Sequence, residues 1–309
     1  MTAKTPRLTA LPDGLLDELE RRYALDELGP AERLAGGYAN DVFRLRSAAG
    51  PVVLRVKHPP VDPASIRWEH DLLTLLAARV PEVPAPLPAR DGTTFFRHGR
   101  FAVWLLPHLP GSPARADDPR HAEEVARLLA RVHSAGTGGL APRPRHPRLR
   151  DLLFPEAAGL PSELAEWLHR LRELRVEAMR FVQDLTESGR ALTTGVVHGD
   201  VFPGNVLVHE GRASGLLDWE EADLDWQAYD VAIAAWFFCR AGAELDRAAL
   251  ARFVAAYRAG GGTVPPSEDD LLVSFIRVKR VLEVLRAPTD RHVDWNEQLE
   301  NLRAAESLR

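Results

Sequence analysis

One segment, residues 196–218, constrains the fold of this chain more than any other. Two short runs of valine and leucine, residues 196–197 and 206–208, flank the polar loop 198–205. A third apolar run, residues 216–217, follows after a short turn. Apolar runs that glycine and proline interrupt in this way are typical of strands. The segment therefore predicts a strand, a loop and a second strand, followed by another short strand.

The polar residues of this segment predict a chemistry. His198, Asp200 and Asn205 have the spacing of the catalytic loop of protein kinases, and Asp218 follows at the end of the third apolar run. Phosphoryl transfer requires an acceptor oxygen held in line and neutralisation of the phosphoryl charge. Asp200 is the predicted proton acceptor, and Asn205 and Asp218 offer the oxygen ligands that Mg²⁺ prefers. His198 is expected to orient the loop. Each residue alone could be an ordinary turn or strand cap, but all of them occur in the required order.

The block His-Gly-Asp-Val-Phe-Pro-Gly-Asn, with Ala-Tyr-Asp-Val-Ala-Ile from Ala228 onward, resembles the aminoglycoside phosphotransferase and homoserine kinase group of the kinase-like superfamily. The likeness is strongest over residues 196–238, and the homoserine kinase branch is the nearer one. The resemblance implies an α+β, two-lobed protein-kinase-like fold with a small antiparallel sheet and a mostly helical second lobe. It also implies that ATP and Mg²⁺ are used to phosphorylate a hydroxyl group of a small polar metabolite.

Composition excludes several other classes. The chain has 309 residues and a net charge of −5, with basic residues spread along it, so no nucleic-acid partner is expected. No run approaches the roughly 20 apolar residues of a membrane span. The single cysteine, Cys239, lies in an apolar run and is expected to be an inert core residue. We therefore expect a cytoplasmic enzyme, and the residue pattern sets no oligomeric state.

The first third of the chain holds the expected nucleotide-phosphate residues. Gly37 lies in a glycine pair where the resemblance implies a loop over the phosphates, although an ordinary hairpin turn would also explain it. Arg55 and Lys57 share one face of a predicted strand, and either could be the phosphate-binding cation. The resemblance implies that Glu69, on the next helix, pairs with that cation.

A change from strands to helices at residues 107–111 predicts the lobe boundary. We expect a nucleotide-binding lobe over 1–107 and a catalytic and substrate-binding lobe over 108–309. The resemblance implies that this connector, with Leu106 and His108, binds the adenine. Ligand sites are common at such domain interfaces.

The periodicity of apolar residues also predicts the individual elements. Strands are expected over 31–34, 42–46, 52–56, 93–98 and 101–106, and helices over 9–25, 64–79, 118–134, 161–187, 246–258, 267–286 and 294–308.

The segment after Asp218 bears on the acceptor. Only eleven residues separate Asp218 from Asp230, too few for the peptide-docking segment of protein kinases, so a small-molecule acceptor is favoured. Asp230 precedes an apolar run, and aspartate is a favoured N-cap residue. The resemblance implies that Asp230 braces the catalytic loop. The acidic residues between them could attract a cationic substrate or could form a solvated turn: Glu220, Glu221, Asp223 and Asp225.

The sequence leaves the identity of the phosphate acceptor open. Arg277, Arg280 and Arg291 could bind a substrate carboxylate, as a homoserine-like acceptor would require, or could be ordinary surface residues. An amino alcohol or amino acid fits the nearer resemblance, and an aminoglycoside-type antibiotic resistance kinase is the first alternative. A nucleotide-binding regulator without turnover is the second, although all three residues of the predicted site are present.

Overall fold

The computed structural model describes residues 8–23, 25, 27–34, 40–144, 146, 148–151, 154, 166–242, 244–286 and 295–308. Gly37 and Arg291 lie outside these residues. Within the described part of the chain, no helix is both long enough and apolar enough to cross a bilayer.

The first part of the chain forms a five-stranded antiparallel sheet with the strand order β1-β2-β3-β5-β4. Apolar side chains alternate along its long central strands, and those on one face pack on the first helix, α1. The bounds are α1 Leu15–Arg22, β1 Glu32–Arg33, β2 Asn40–Ser47, β3 Gly50–Lys57, β4 Phe96–His98 and β5 Phe101–Pro107.

The helix α1 is shorter than the pattern over residues 9–25 predicts. It begins after Gly14, which has a left-handed φ of 70°, and it ends before Tyr23, which is extended. Left-handed and extended residues cannot continue an α-helix. The apolar period therefore reports which side chains face the sheet, and the backbone conformations of these two residues set the helix ends.

A second helix, α2 (Pro63–Ala77), covers the other face of the sheet's central strands and reaches toward the second lobe. Asp62 caps it by accepting a hydrogen bond from the backbone of Ala64 at 2.9 Å, and a proline follows at the first helical position. Glu69 lies in its middle and is buried.

The remainder of the chain is mostly helical and surrounds a separate, larger apolar core. The helix α5 is buried on nearly every side, which explains the apolar run at its residues 231–238, while α3, α6 and α7 pack around it. The bounds are α3 Pro119–Ser134, α4 Leu168–Glu187, α5 Gln227–Phe238, α6 Arg247–Ala259, α7 Leu272–Arg286 and α8 Trp295–Ser307.

Short strands between α4 and α5 carry the polar loop that the sequence singles out. A three-stranded sheet has the order β6-β8-β9, and β7 pairs with β10 in antiparallel register. The bounds are β6 Ser112–Pro113, β7 Thr194–Val197, β8 Val206–His209, β9 Arg212–Leu216, β10 Asp223–Trp226, β11 Arg240–Ala241 and β12 Glu244–Leu245.

The architecture is the predicted one: α+β, with a small antiparallel-sheet lobe and a mostly helical lobe. The last strand of the large sheet, β5, ends at Pro107, and the chain then enters β6 of the second lobe. Residues of both lobes face one another across this connector, and the candidate site lies there.

Candidate active site

The loop between β7 and β8 is held in a conformation that requires glycine. Gly199 has a φ of 80°, and a Cβ atom at this position would approach the carbonyl oxygen of Glu221 to 2.6 Å. Left-handed backbone is readily adopted only by glycine. The His-Gly-Asp sequence therefore has a local structural cause, because the glycine lets the chain turn tightly against residues 219–222.

Asp230 fixes this loop from beneath. Its fully buried carboxylate accepts hydrogen bonds from the backbone N–H groups of His198 at 2.7 Å and Gly199 at 2.9 Å. The His133 ring lies 3.1 Å from the same carboxylate and 2.8 Å from the Tyr257 hydroxyl. Burial alone would raise the pKa of Asp230, but the hydrogen bond from His133 and the nearby charges outweigh it and hold that pKa below its usual value.

We expect Asp230→Asn to lower the free energy of unfolding by about 3 kcal/mol, because it leaves a buried hydrogen-bond network without its charge. Since the pKa of Asp230 is lowered by folding, this stabilisation is present above the ordinary pKa of 3.8 and is lost as the pH falls below it. Urea unfolding at pH 7 and at about pH 3, below that ordinary value, measures both effects. The exposed control Asp91→Asn should change stability little, and an equal effect of the two variants would contradict this role.

His198 joins the loop to the strand end that precedes Asp218. Its Nε2 donates to the carbonyl of Leu217 at 2.9 Å, and its Nδ1 accepts from the backbone N–H of Asp200 at 3.2 Å. The ring is fully buried and packs edge-on against Trp219. Both ring nitrogens are therefore used within the protein, which leaves the imidazole no access to a substrate.

Asp200 and Asn205 contact each other across the loop. The Asn205 amide donates to the carbonyl oxygen of Asp200 at 2.9 Å and to its carboxylate at 3.3 Å. The Asp200 side chain is still 35% exposed, so it can reach a molecule bound beside the loop. Partial burial of its carboxylate raises the pKa of Asp200, although the charges of Lys279 and His198 oppose that shift.

Asp218 stands at the end of β9 in a strained conformation, with a φ of 60°. The backbone N–H of the preceding residue, Leu217, donates to the Asn205 carbonyl at 2.7 Å, which brings the two predicted metal-binding positions together. The Asp218 carboxylate accepts a hydrogen bond from Arg55 at 2.8 Å. The left-handed backbone conformation of Asp218 therefore sets the direction in which its carboxylate projects.

The two cations of β3 differ in their surroundings. The Arg55 guanidinium is buried, donates to Asp218, and has an Nε without a hydrogen-bond partner among the described residues. The Lys57 ammonium donates to Glu220 at 2.8 Å. Burial alone would raise the pKa of Glu220, but the charges of Arg55 and Lys57 outweigh burial and bring that pKa to about 2.

Glu69 does not form the expected hydrogen-bonded pair with a β3 cation. Its carboxylate accepts from Arg143 at 2.8 Å, and Arg55 bonds Asp218 and lies 3.5 Å from Glu220 instead. Burial raises the pKa of Glu69, and the charges of Arg55 and Arg143 oppose the shift. The physical reason for the difference is that Arg143 brings a second guanidinium to the middle of α2, where the buried Glu69 lies.

A cleft of about 360 Å³ opens between the lobes. Apolar side chains of β2, β3 and β5 form an apolar wall, and Arg55, Asn205 and Asp218 supply polar groups. Leu106 and His108 of the connector also line it, as does Glu69. An apolar cleft with few convergent polar groups at an interface is typical of a small-ligand site.

A smaller cavity of about 50 Å³ lies beside the loop 198–205. Gly199 and Tyr229 line it, and both acidic and basic side chains surround it. The charged or titratable ones are His146, Arg148, Glu221, Asp223, Asp225, Lys279 and Arg286. The buried Lys279 ammonium lies 4.0 Å from the Asp200 carboxylate and 3.4 Å from the Gly199 carbonyl.

The acidic residues after Asp218 do not act as one cluster. Glu220 pairs with Lys57, while the buried Asp223 and Asp225 accept hydrogen bonds from the backbone N–H groups of Arg143 and Leu149. Glu221 is exposed. The solvated-turn interpretation is therefore wrong for three of the four residues, and the exposed one, Glu221, has the Arg286 guanidinium 3.8 Å from its carboxylate.

The two described candidate arginines of the C-terminal part, Arg277 and Arg280, are engaged within the protein. Arg280 is buried against Trp236 and bonds Asn301 and Glu283, so it joins α7 to α8. Arg277 donates to Glu177 at 2.7 Å. The buried position of Arg280 leaves it no route to a substrate carboxylate.

The chain matches the model of the phosphotransferase enzyme family over residues 30–271. It is 30% identical to a homoserine kinase of Gluconobacter oxydans over 265 residues, which are 84% of this chain and 81% of that protein. Two solved structures share the fold: a microcompartment-associated aminopropanol kinase (TM-score 0.69, 20% identity, 96% and 95% of the two chains) and a spectinomycin phosphotransferase in complex with ADP and spectinomycin (TM-score 0.66, 14% identity, 97% and 98%).

The chain belongs to the phosphotransferase enzyme family. It is an enzyme, a phosphotransferase with an alcohol group as acceptor.

The donor chemistry of the cleft fits a magnesium ion. Among the residues that the structure describes, no group of three or more His, Cys, Asp and Glu side chains could hold a metal. Mg²⁺ in phosphoryl-transfer sites usually takes one or two protein oxygens and completes its shell with phosphates and water. Asp218 and Asn205 line one cleft and offer a carboxylate and an amide oxygen.

Two residues around the site escaped sequence reasoning: Arg143 and Lys279. Arg143 lies in a loop rich in glycine, proline and arginine, and no period marks it. Lys279 carried a usable signal, because the chain has only three lysines among 39 basic residues. Lysine differs from arginine as a compact point charge, so its retention at a buried position indicates a local requirement.

Proposed function

We propose that this protein transfers the γ-phosphoryl group of ATP to a hydroxyl group of a small amino acid or amino alcohol, with homoserine as the first candidate. The observation that carries the proposal is the position of Asn205. It bonds Asp200 on one side and lines the interlobe cleft together with Asp218 on the other. The two proposed oxygen ligands therefore line the cleft, and Asn205 joins them to Asp200, the proposed proton acceptor.

Each residue has a role in this reaction. The acceptor oxygen forms a bond to the γ-phosphorus, its proton passes to the Asp200 carboxylate, and the bond to the bridging oxygen breaks so that ADP leaves with the electron pair. Asp218 and Asn205 would hold Mg²⁺, which supplies positive charge at the phosphates. His198 and Asp230 keep the loop in place.

Arg55 is the better placed of the two phosphate-binding candidates. It lines the cleft, and its buried Nε lacks a partner among the described residues, whereas Lys57 is absent from the lining and is paired with Glu220. Leu106, His108 and the apolar wall would contact the adenine. Glu69 acts on Arg55 by charge, and Gly37 stays a prediction from the sequence.

The smaller cavity is proposed as the acceptor side of the site. It adjoins Gly199, next to Asp200, and acidic and basic groups both surround it. A zwitterionic acceptor with an ammonium and a carboxylate complements such a mixed lining better than a polycation does. The homoserine kinase relative supports the same class of acceptor.

An ATP-consumption assay over a panel of acceptors tests this proposal. L-homoserine or a related amino alcohol should accelerate ATP consumption, and L-2-aminobutyrate, which has the homoserine skeleton without the hydroxyl, should not. Preferential activity on an aminoglycoside would replace the amino acid class. No stimulation by any hydroxyl compound would contradict the proposal.

Lys279 is expected to tune the base. Its charge lowers the pKa of Asp200 against the effect of burial, so Lys279→Met should move the acidic limb of the pH profile of kcat/KM to higher pH. The same rate measurements on Arg190→Met, which loses an exposed pair with Asp270, give the control. A profile of Lys279→Met that overlays the wild-type profile would exclude this influence.

A further inference from the structure

Arg143 holds two parts of the protein together with one side chain. Its Nε donates to the Ser65 hydroxyl and its Nη2 to the Glu69 carboxylate, both at 2.8 Å. Its Nη1 donates to the backbone carbonyls of Glu220 at 2.7 Å and Ala222 at 3.1 Å. The guanidinium therefore bridges α2 of the small lobe and the segment 219–222 of the large lobe. We call these contacts the Arg143 bridge.

The bridge itself is fixed in place. The backbone N–H of Arg143 donates to the buried Asp223 carboxylate at 2.9 Å, and its guanidinium lies 5.4 Å from the centre of the Trp68 ring. The side chain is only 5% exposed. A planar guanidinium with every side satisfied has little freedom, so the two parts that it joins are held at a set separation.

The segment that Arg143 holds begins directly after Asp218. Because Asp218 is a non-glycine residue at a φ of 60°, its conformation needs support from its neighbours. The bridge contacts carbonyl oxygens of that neighbouring backbone and not its side chains. It therefore fixes the course of the chain from which the Asp218 carboxylate projects.

The Arg143 bridge also affects which carboxylate pairs with Arg55. Glu69 is buried, and the charges of both Arg55 and Arg143 act on it. Since Arg143 donates directly to Glu69, Arg55 is left to donate to Asp218 at 2.8 Å. Without the Arg143 guanidinium, the uncompensated Glu69 would draw Arg55 away from Asp218.

We propose that Arg143 is a positioning residue for the magnesium-holding carboxylate of Asp218 and for the phosphate-facing Arg55. It acts through the 219–222 backbone and through Glu69. The inference rests on the proposed function, because it assigns Asp218 to the metal and Arg55 to the phosphates.

Calorimetric titration with ADP, with and without Mg²⁺, tests the bridge without measuring turnover. In Arg143→Gln the tightening of ADP binding by Mg²⁺ should fall at least five-fold, and metal-free ADP binding should weaken as Arg55 withdraws. Arg143→Lys should not rescue either quantity, since an ammonium cannot span both sets of acceptors. Arg115→Gln, which loses only an exposed pair with Asp117, should behave as the wild type.

A double variant separates positioning from folding. Glu69→Gln combined with Arg143→Gln removes the uncompensated buried charge, so its thermal unfolding temperature should recover relative to Arg143→Gln. Its response to Mg²⁺ should stay impaired, because the backbone contacts remain lost. Full recovery of the Mg²⁺ response would overturn the inference, as would a folded Arg143→Gln with the wild-type response.

The wild-type titration distinguishes the two levels of the argument. Absence of any Mg²⁺ effect on ADP binding to the wild-type protein would refute the proposed function, and the role of Arg143 with it. A clear Mg²⁺ effect in the wild type that Arg143→Gln keeps would refute the role of Arg143 alone.

Discussion

Asp200→Asn is expected to lower kcat by about 10²–10⁴-fold, the usual contribution of a positioned general base. The asparagine keeps the shape of the side chain and its contact with Asn205, but it cannot take the proton of the attacking hydroxyl. Burial raises the pKa of Asp200, which means that folding disfavours its charged form at neutral pH. The variant should therefore unfold at the same temperature as the wild type or at a higher one.

Steady-state kinetics with the best acceptor, together with ADP titration, measure this prediction. ADP affinity should be unchanged, because the proposed adenine and phosphate contacts do not include Asp200. Asp117→Asn, an exposed aspartate paired with Arg115, is the control for loss of a carboxylate elsewhere. A kcat for Asp200→Asn within a factor of ten of the wild type would exclude Asp200 as the base.

Asp218→Asn is expected to lower kcat/KM on the order of 10²–10³-fold, as loss of a charge-stabilising group in such a site commonly does. Its effect on binding should be opposite in the two metal conditions. Without Mg²⁺, ADP should bind at least as tightly as to the wild type, because Arg55 loses its competing partner. With Mg²⁺, the further tightening of ADP binding that is expected of the wild type should be absent.

The two-condition comparison makes the Asp218 prediction specific. A general loss of structure would weaken ADP binding equally with and without Mg²⁺, and the exposed control Asp184→Asn should leave both values unchanged. A full Mg²⁺ effect on ADP binding in Asp218→Asn would contradict the assignment of this carboxylate as a metal ligand.

The strand, loop and strand around residues 198–205 could be predicted from the sequence for a physical reason. The polar residues of the loop lie within a few positions of one another, and the flanking valines lie in the two strands that hold them. The glycine between His198 and Asp200 is required by backbone geometry, so the motif carries its own structural explanation. The two-lobed fold followed from the family resemblance and from the change of apolar period near residue 107.

The ion pairs of the cleft could not be predicted in the same way. The resemblance implied that Glu69 pairs with the cation of β3, Arg55 or Lys57. Arg143, which lies 74 positions from Glu69, takes that carboxylate instead. Local periodicity carries no information about a partner on a distant irregular loop. The same limit applies to Asp223 and Asp225, which looked like solvated acids and are buried caps for that loop.

Phosphorus-31 NMR of one reaction mixture tests the central claim most directly. The protein, ATP, Mg²⁺ and an excess of L-homoserine should lose the γ-phosphate signal of ATP and gain ADP and a new phosphomonoester in equal amounts. The same mixture with L-2-aminobutyrate should stay unchanged. A γ-phosphate signal that persists with every hydroxyl acceptor, or that is converted only to inorganic phosphate, would contradict the account.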